Sequence, residues 1–234
     1  MENQHPQSKR KIILTEDGSS SLFVETLNEH YHSIHGAVQE SMHIFIQAGL
    51  LCEQLKDLQT VNILEIGLGS GLNALLTYFS ALNANKKVRY TAIEKYPLSF
   101  HEVQLLNYPH FMAHTSAENV FRQIHTSEWG TTEAFSAHFS LCKHQQSATE
   151  TAYPADTFNL VYFDAFSPDV QPELWSEELF KKIYQSMKPE SVLLTYSTKG
   201  TVKRALKNAD FQIEKLPGPK GKREILRAKK QTGE

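Results

Sequence analysis

Glu65, Glu94 and Asp164 each stand at or beside the end of an apolar, strand-like run: Asn62 to Ile66, Val88 to Ile93 and Phe158 to Phe163. A carboxylate so placed can take a proton, pair with a cation, or accept two hydrogen bonds from neighbouring hydroxyls. After Glu65 come Gly67, Gly69 and Gly71 at alternate positions, leading into Leu72-Asn73-Ala74-Leu75. Glycines let the backbone turn sharply and let a ligand lie against it without meeting a Cβ atom. The helix start behind such a turn offers unpaired N–H groups. The stretch predicts a nucleotide-type cofactor with acids close to it.

Two cofactors fit the turn. Gly69-x-Gly71-x-x-Ala74, with Glu94 about 20 residues on, matches the dinucleotide fingerprint. Glu65-x-Gly67-x-Gly69-x-Gly71 also matches the glycine turn of enzymes that use S-adenosylmethionine (SAM). A dinucleotide brings a pyrophosphate, which favours a helix N-terminus without a nearby carboxylate. SAM carries an ammonium and a sulfonium, so Glu65 suits SAM and repels the alternative. In either case Glu94 can accept from both ribose hydroxyls. A purely structural glycine turn is the third reading of so short a motif.

Asp164 leads into Ala165-Phe166-Ser167-Pro168, a carboxylate beside an aromatic and a fixed turn. That is a seat in which an amine can be deprotonated and held flat. The competing reading is that Asp164 caps a loop and Phe166 fills core. His30, His32 and His35 crowd a polar stretch, but no nearby cysteine or carboxylate has helical ligand spacing, so no metal is expected. A polar lid over a pocket, or plain surface histidine, accounts for them.

The elements that must position these residues follow from pattern. Lys11 to Leu14 and Ser21 to Thr26 flank the turn signal Asp17-Gly18 and predict a hairpin, followed by an amphipathic helix from about Val38 to Leu55. A helix runs from the glycine turn to about Leu82, and another begins at Tyr96-Pro97-Leu98, with Pro97 in its first turn. Ser116 to Ile124 is helical in pattern, Ala134 to Leu141 alternates like one strand, and Gln145 to Asp156 reads as loop. Ser176 opens a helix with Glu177 and Glu178 in its first turn. Ser191 to Ser197 predicts a strand, Thr201 to Asn208 a helix, and Phe211 to Leu216 with Glu224 to Arg227 a final hairpin. Strands alternating with helices imply an α/β fold with a mostly parallel sheet. In a doubly wound sheet Gly67, Glu94 and Asp164 share the carboxyl edge, where ligands bind.

Composition is that of an ordinary soluble domain, and no apolar run approaches the roughly 18 to 20 residues of a membrane span. Met1 to Lys11 is polar and lacks a signal-peptide core, and Cys52 and Cys142 suggest no disulfide framework. A cytoplasmic protein without membrane partners is expected. The net charge of −2 hides an asymmetry: residues 199–234 carry 11 Lys or Arg against 4 Asp or Glu, and residues 1–198 carry 13 against 22. A basic end on an acidic body suggests an anionic partner, RNA or DNA first, against the alternative of a solvated tail.

Several blocks together resemble the methyltransferase half of the bifunctional tRNA 5-methylaminomethyl-2-thiouridine biosynthesis proteins. They are Glu65 to Asn73, Glu94-Lys95-Tyr96-Pro97-Leu98, Phe163 to Pro168 with Trp175 to Phe180, Thr195 to Leu206, and Gly218 to Glu224. The resemblance runs in order from about Asp17 to Leu226. It implies a Rossmann-like class I SAM-dependent methyltransferase with a mostly parallel seven-stranded sheet and an antiparallel C-terminal hairpin. Its implied organisation is a disordered tail over 1–11, a hairpin and helix covering the site over 12–60, and the methyltransferase domain over 61–230.

The implied reaction is methylation of the exocyclic amine of 5-aminomethyl-(2-thio)uridine at the tRNA wobble position. Gly67, Gly69, Gly71 and Glu94 would hold SAM, with Glu65 and Asn73 of the same stretch facing it, and Asp164 would be catalytic. Tyr31, His32 and Ser33 would cover the site, and Phe166 or Trp175, beside Pro168, would stack on the flipped base. Lys203, Arg204, Lys220, Lys222 and Arg223 would hold phosphates of the anticodon stem-loop. The bifunctional members continue into a flavin-dependent oxidase domain, whereas this sequence ends at Glu234. The expectation is therefore no FAD, and an amine substrate supplied by other enzymes. Where the family often shows Gly-Asp, this chain has Leu141-Cys142-Lys143-His144, which leaves the adenine without its usual acid. The rivals are an aminopropyltransferase of the polyamine-synthase type using decarboxylated SAM, and a non-catalytic RNA-binding module.

Overall fold

The computed structural model describes residues 10–231. Residues 1–9 of the expected tail lie outside the described residues, and Arg10 and Lys11 belong instead to the first strand, β1 (Arg10–Leu14). Arg10 is held there because its Nη1 reaches both carboxylate oxygens of Glu102, at 3.1 and 3.2 Å. β1 pairs antiparallel with β2 (Ser20–Val24), and β2 pairs with the short β3 (Glu29–His30). The Asp17 carboxylate fixes the β1–β2 turn by accepting from Thr15 Oγ1 at 2.7 Å and Ser19 N at 2.9 Å. The following helix begins as α1 (Ala37–Ser41) and widens into π-helical turns over Met42–Leu50. Gly49 lets it lie close on the sheet, where an added Cβ would sit 3.3 Å from the Tyr162 ring.

Eight strands, not seven, form the main sheet among the described residues: β4 (Thr60–Ile66), β5 (Lys87–Glu94), β6 (Thr132–Ser136), β7 (Phe139–Gln145), β8 (Phe158–Phe163), β9 (Met187–Thr195), β10 (Gln212–Pro217) and β11 (Glu224–Lys229). Their order is β10-β11-β9-β8-β4-β5-β7-β6, with β4, β5, β7, β8 and β9 parallel. The extra strand is β6. The alternating run over Ala134 to Leu141 reverses between Ser136 and Phe139 and pairs β6 with β7 as a hairpin, with a register shift at Ala134/Ser136. Alternation alone cannot show a reversal inside it.

The helices are α2 (Leu72–Asn83), α3 (Phe100–Gln104), α4 (Ala117–Thr126), α5 (Glu177–Ser186) and α6 (Gly200–Asn208). α3 starts later than Pro97 suggests because Ser99 and Glu102 form a reciprocal capping box. β4 splits its side chains between two cores: Val61 and Ile63 pack with α2 and α4, Leu64 and Ile66 with α5 and α6. Burial on both faces leaves the strand ends as the place for polar chemistry. Ile66 is level with Ile93 and Phe163, and Glu94 with Gln145, so the turns after β4, β5, β7 and β8 share one edge.

Candidate active site

Gly67 leaves β4 at φ +89°, and a Cβ there would lie 2.8 Å from the Asp164 carbonyl oxygen. Glycine is what allows the ends of β4 and β8 to close. Gly71, at φ +73°, precedes α2, and its missing Cβ would meet His125 Nε2 at 2.7 Å. That ring nitrogen donates to the Ser70 carbonyl oxygen at 3.2 Å, bracing the turn from behind, and burial holds the His125 pKa down at about 4. The third glycine is fixed by Glu94, whose Oε2 accepts from Gly69 N at 2.9 Å and whose Oε1 accepts from Tyr96 N at 2.7 Å. Glu94 is thereby oriented across the edge.

The carboxyls of Glu65 and Asp164 meet at Asn73. Asn73 Nδ2 donates to Glu65 Oε1 at 3.0 Å and to Asp164 Oδ2 at 2.8 Å. Burial raises the Glu65 pKa well above the usual carboxylate range. Burial also pushes Asp164 up to about 7, against the Asn73 hydrogen bond, while Glu40 adds to the rise and Lys222 opposes it. Two acids thus sit side by side with their proton affinities set by environment.

Gly67, Gly69, Asn73, Glu94 and Asp164, but not the fully buried Glu65, line a cavity of about 1600 Å³. That exceeds the roughly 300–1,000 Å³ of a single-ligand pocket and has room for a cofactor and a second molecule. Tyr31, His32 and Ser33 form part of its wall. Tyr31 packs edge-on to Phe166, with ring centroids 5.0 Å apart, and Ser167 Oγ donates to Glu29 Oε1 at 2.6 Å, so β3 and the segment after it close onto the Asp164 loop. His32 is buried, its pKa lowered to about 4 by desolvation. Among the described residues no group of three His, Cys, Asp or Glu is placed to hold a metal ion. His35 pairs with Glu16, and His30 stacks on Phe23.

Two expected substrate contacts, Trp175 and Pro168, do not face the cavity, and two others, Lys220 and Lys222, carry ion-pair partners. Trp175 is 5 % exposed, donates Nε1–H to the Phe166 carbonyl at 2.8 Å, and packs on Phe163, Phe180 and Tyr196, so it supports the Phe166 loop from the core and cannot face a base. Pro168 does not line the cavity. Lys220 is paired with Glu16 at 2.9 Å, and Lys222 with Glu40 at 2.6 Å, its ammonium lying 4.2 Å from the Tyr196 ring centre. Lys222 faces the cavity; Lys203, Arg204 and Arg223 lie outside it. Sequence reading missed Glu40 and Tyr196, because Glu40 looks like the polar side of a covering helix and its partner lies at the far end of the chain.

SAM fits this donor set. Asn73 Oδ1 is a buried acceptor without a hydrogen-bond partner among the described residues and lies at the cavity, suited to an ammonium, whereas Glu65, expected to face the cofactor, is buried behind it and raised in pKa. Glu94 presents an oriented carboxylate for the ribose. Where the family often has an acid after this strand, the end of β7 and the residues behind it bring Gln145, Gln146 and Ser147 to the cavity.

A family model described as an S-adenosyl-L-methionine-dependent methyltransferase matches residues 112–231. The tRNA 5-methylaminomethyl-2-thiouridine biosynthesis bifunctional protein MnmC of Burkholderia thailandensis is 28 % identical over 232 residues, covering 92 % of this chain and 34 % of that protein. Its counterpart from Campylobacter hominis is 31 % identical, covering 88 % of this chain and 31 % of that protein. The chain therefore spans about a third of the length of the curated relatives it matches. Among solved structures, MnmC2 from Aquifex aeolicus superposes with a TM-score of 0.81 at 24 % identity, covering 98 % of this chain and 72 % of that one. Spermidine synthase from Thermotoga maritima gives 0.57 at 13 % identity, covering 97 % and 70 %. The glycine turn, the oriented Glu94 and the family match agree, and the chain belongs to the S-adenosyl-L-methionine-dependent methyltransferase family.

Proposed function

We propose that the chain methylates the exocyclic amine of 5-aminomethyl-(2-thio)uridine at the tRNA wobble position, giving 5-methylaminomethyl-(2-thio)uridine. The observation that carries the reading is Asp164, set beside the glycine turn with one oxygen held by Asn73 and the other without a hydrogen-bond partner among the described residues. SAM, when bound, supplies the methyl group, the amine lone pair forming the N–C bond while the C–S electrons stay on sulfur. An attacking alkyl amine resembles Lys, with a reference pKa near 10.4, and must lose a proton first. Asp164, with its pKa near 7, is matched to accept that proton at neutral pH. Phe166 and Tyr31 line the cavity and offer aromatic surfaces for a flipped base. Lys203, Arg204 and Arg223 are the basic residues left to meet phosphates.

The matching relatives are named for this modification, which supports the choice of substrate. The reading implies a cytoplasmic protein acting on tRNA. No helix of the described residues is long and apolar enough to cross a membrane. The likeness to spermidine synthase keeps aminopropyl transfer as the second reading. Mass spectrometry of wobble nucleosides, from tRNA lacking the modification incubated with the protein and SAM, tests the proposal. Gain of one methyl group on the aminomethyl nucleoside is expected. Unchanged nucleosides, with aminopropyl transfer to putrescine from decarboxylated SAM, would establish the rival.

A further inference from the structure

Asn73 does more than a cofactor-facing residue needs to do. Its amide has two N–H bonds, and each is aimed at a different carboxyl, Glu65 Oε1 and Asp164 Oδ2. The second contact crosses from the first turn of α2 to the end of β8. It is the hydrogen bond that fixes the Asp164 side chain among the described residues. Asn73 itself is 3 % exposed, so packing holds it in place.

We infer that Asn73 is a positioning residue for the proton acceptor: by holding Asp164 Oδ2 it turns Oδ1 toward the substrate and keeps the carboxylate ready to accept a proton. The inference rests on the reading of Asp164 as that acceptor. The step served is a plain proton transfer. The substrate ammonium gives one proton to Oδ1 and keeps the electron pair that forms the new N–C bond.

Charge supports the division of labour. Asp164 is faced by Glu65 from β4, Glu40 from α1, Lys222 from the β10–β11 hairpin, and the phenols of Tyr196, Tyr90 and Tyr108. Without a donor between them, two neighbouring carboxyls would compete for one proton. The amide bridges Asp164 Oδ2 and Glu65 Oε1, and burial raises the proton affinity of both acids. Loss of the amide therefore raises the pH at which Asp164 becomes a base.

The test is the pH profile of kcat/KM for tRNA at saturating SAM, in wild type, Asn73→Asp and Asn73→Ala. At saturating SAM, kcat/KM for tRNA reports the cofactor-loaded enzyme and free tRNA, so the limb belonging to the amine stays fixed, and an enzyme limb that moves is the enzyme's own. Wild type should lose activity as the pH falls through about 7. Both variants should shift that limb upward, with about tenfold or greater loss near pH 6 shrinking to about threefold near pH 9. Asn73→Asp, which keeps the shape and adds a third acid, should shift it furthest. A wild-type profile without that limb, or variants slowed equally at every pH, would overturn the inference. Should Asn73→Ala fail to fold, the isosteric Asn73→Asp decides alone. Wild-type turnover by Asp164→Asn would instead remove the reading on which the inference rests.

Discussion

Lys222 Nζ stands 2.6 Å from Glu40 Oε1, joining the first helix of the chain to the tip of its last hairpin. The Glu40 side chain is 10 % exposed and that of Lys222 27 %, so the pair is shielded from water on its Glu40 side. Glu40 Oε2 also accepts from Ser33 N at 2.8 Å, which fixes the covering segment. Removing one partner of such a pair strands a charge, whereas removing both does not. Lys222→Met should therefore destabilise the fold by about 2 kcal/mol, less than a fully buried pair because Lys222 is partly solvated. Adding Glu40→Gln should recover most of the loss. Chemical denaturation of the two single variants and the double variant measures the coupling; additive losses would show that the pair acts independently.

Asp164 should cost stability wherever it is ionised. Its pKa in the folded chain is about 7, against an ordinary value of 3.8. Between those values the folded state holds more protons than the unfolded state, so stability falls as the pH rises from about 4 to 7 and the penalty is constant above that. Asp164→Asn removes it. The variant should melt higher than wild type near pH 8, by the equivalent of up to about 4 kcal/mol, and no higher near pH 4. The same variant should lose about 10²- to 10⁴-fold in methyl transfer, the range of a general base, while still binding SAM. Thermal melts at the two pH values, with a cofactor titration, check both halves.

The cofactor turn was legible because its chemistry is local. Gly67, Gly69, Gly71 and Glu65 lie within seven residues, and Glu94 ends the next strand of an unmistakable β-α-β pattern. The strand leading to Asp164 was equally plain, since a fully buried run such as Phe158–Phe163 has few other readings. What sequence could not supply was which side chains meet across the fold. Trp175 looked like a stacking residue, yet it is core, because an aromatic following the Asp164 loop in sequence carries no mark of the direction it faces. Lys220 and Lys222 looked free for phosphates, but Glu16 and Glu40, far away in sequence, claim them. The β6–β7 hairpin was hidden for a related reason: its turn, Ala137-His138, contains neither Gly nor Pro.

Trp175 and Phe166 should separate stability from substrate binding. Trp175→Ala removes a large core side chain and leaves the Phe166 carbonyl without its donor, so a loss of about 3–5 kcal/mol is expected. Phe166 is half-buried and lines the cavity, so Phe166→Ala should cost the fold little and raise KM for tRNA several-fold. Denaturation midpoints beside steady-state kinetics distinguish the two. A wild-type KM in Phe166→Ala would assign the stacking face to Tyr31.

The salt dependence of tRNA binding should report which basic residues touch phosphate. Lys203 and Arg204 on α6 and Arg223 in the last hairpin make no ion pair among the described residues, while Lys220 is already paired with Glu16. Each phosphate contact contributes roughly 0.7 to 0.9 to the slope of log K against log salt. Neutralising Lys203, Arg204 and Arg223 together should thus lower the slope by about 2 and weaken binding most at low salt. Lys220→Gln should change it by much less, because its charge is offset before RNA arrives. Binding isotherms over a range of salt concentrations decide the matter: a slope unchanged in the triple variant would move the RNA face off α6 and the hairpin, and a full unit lost in Lys220→Gln would mean that phosphate displaces Glu16.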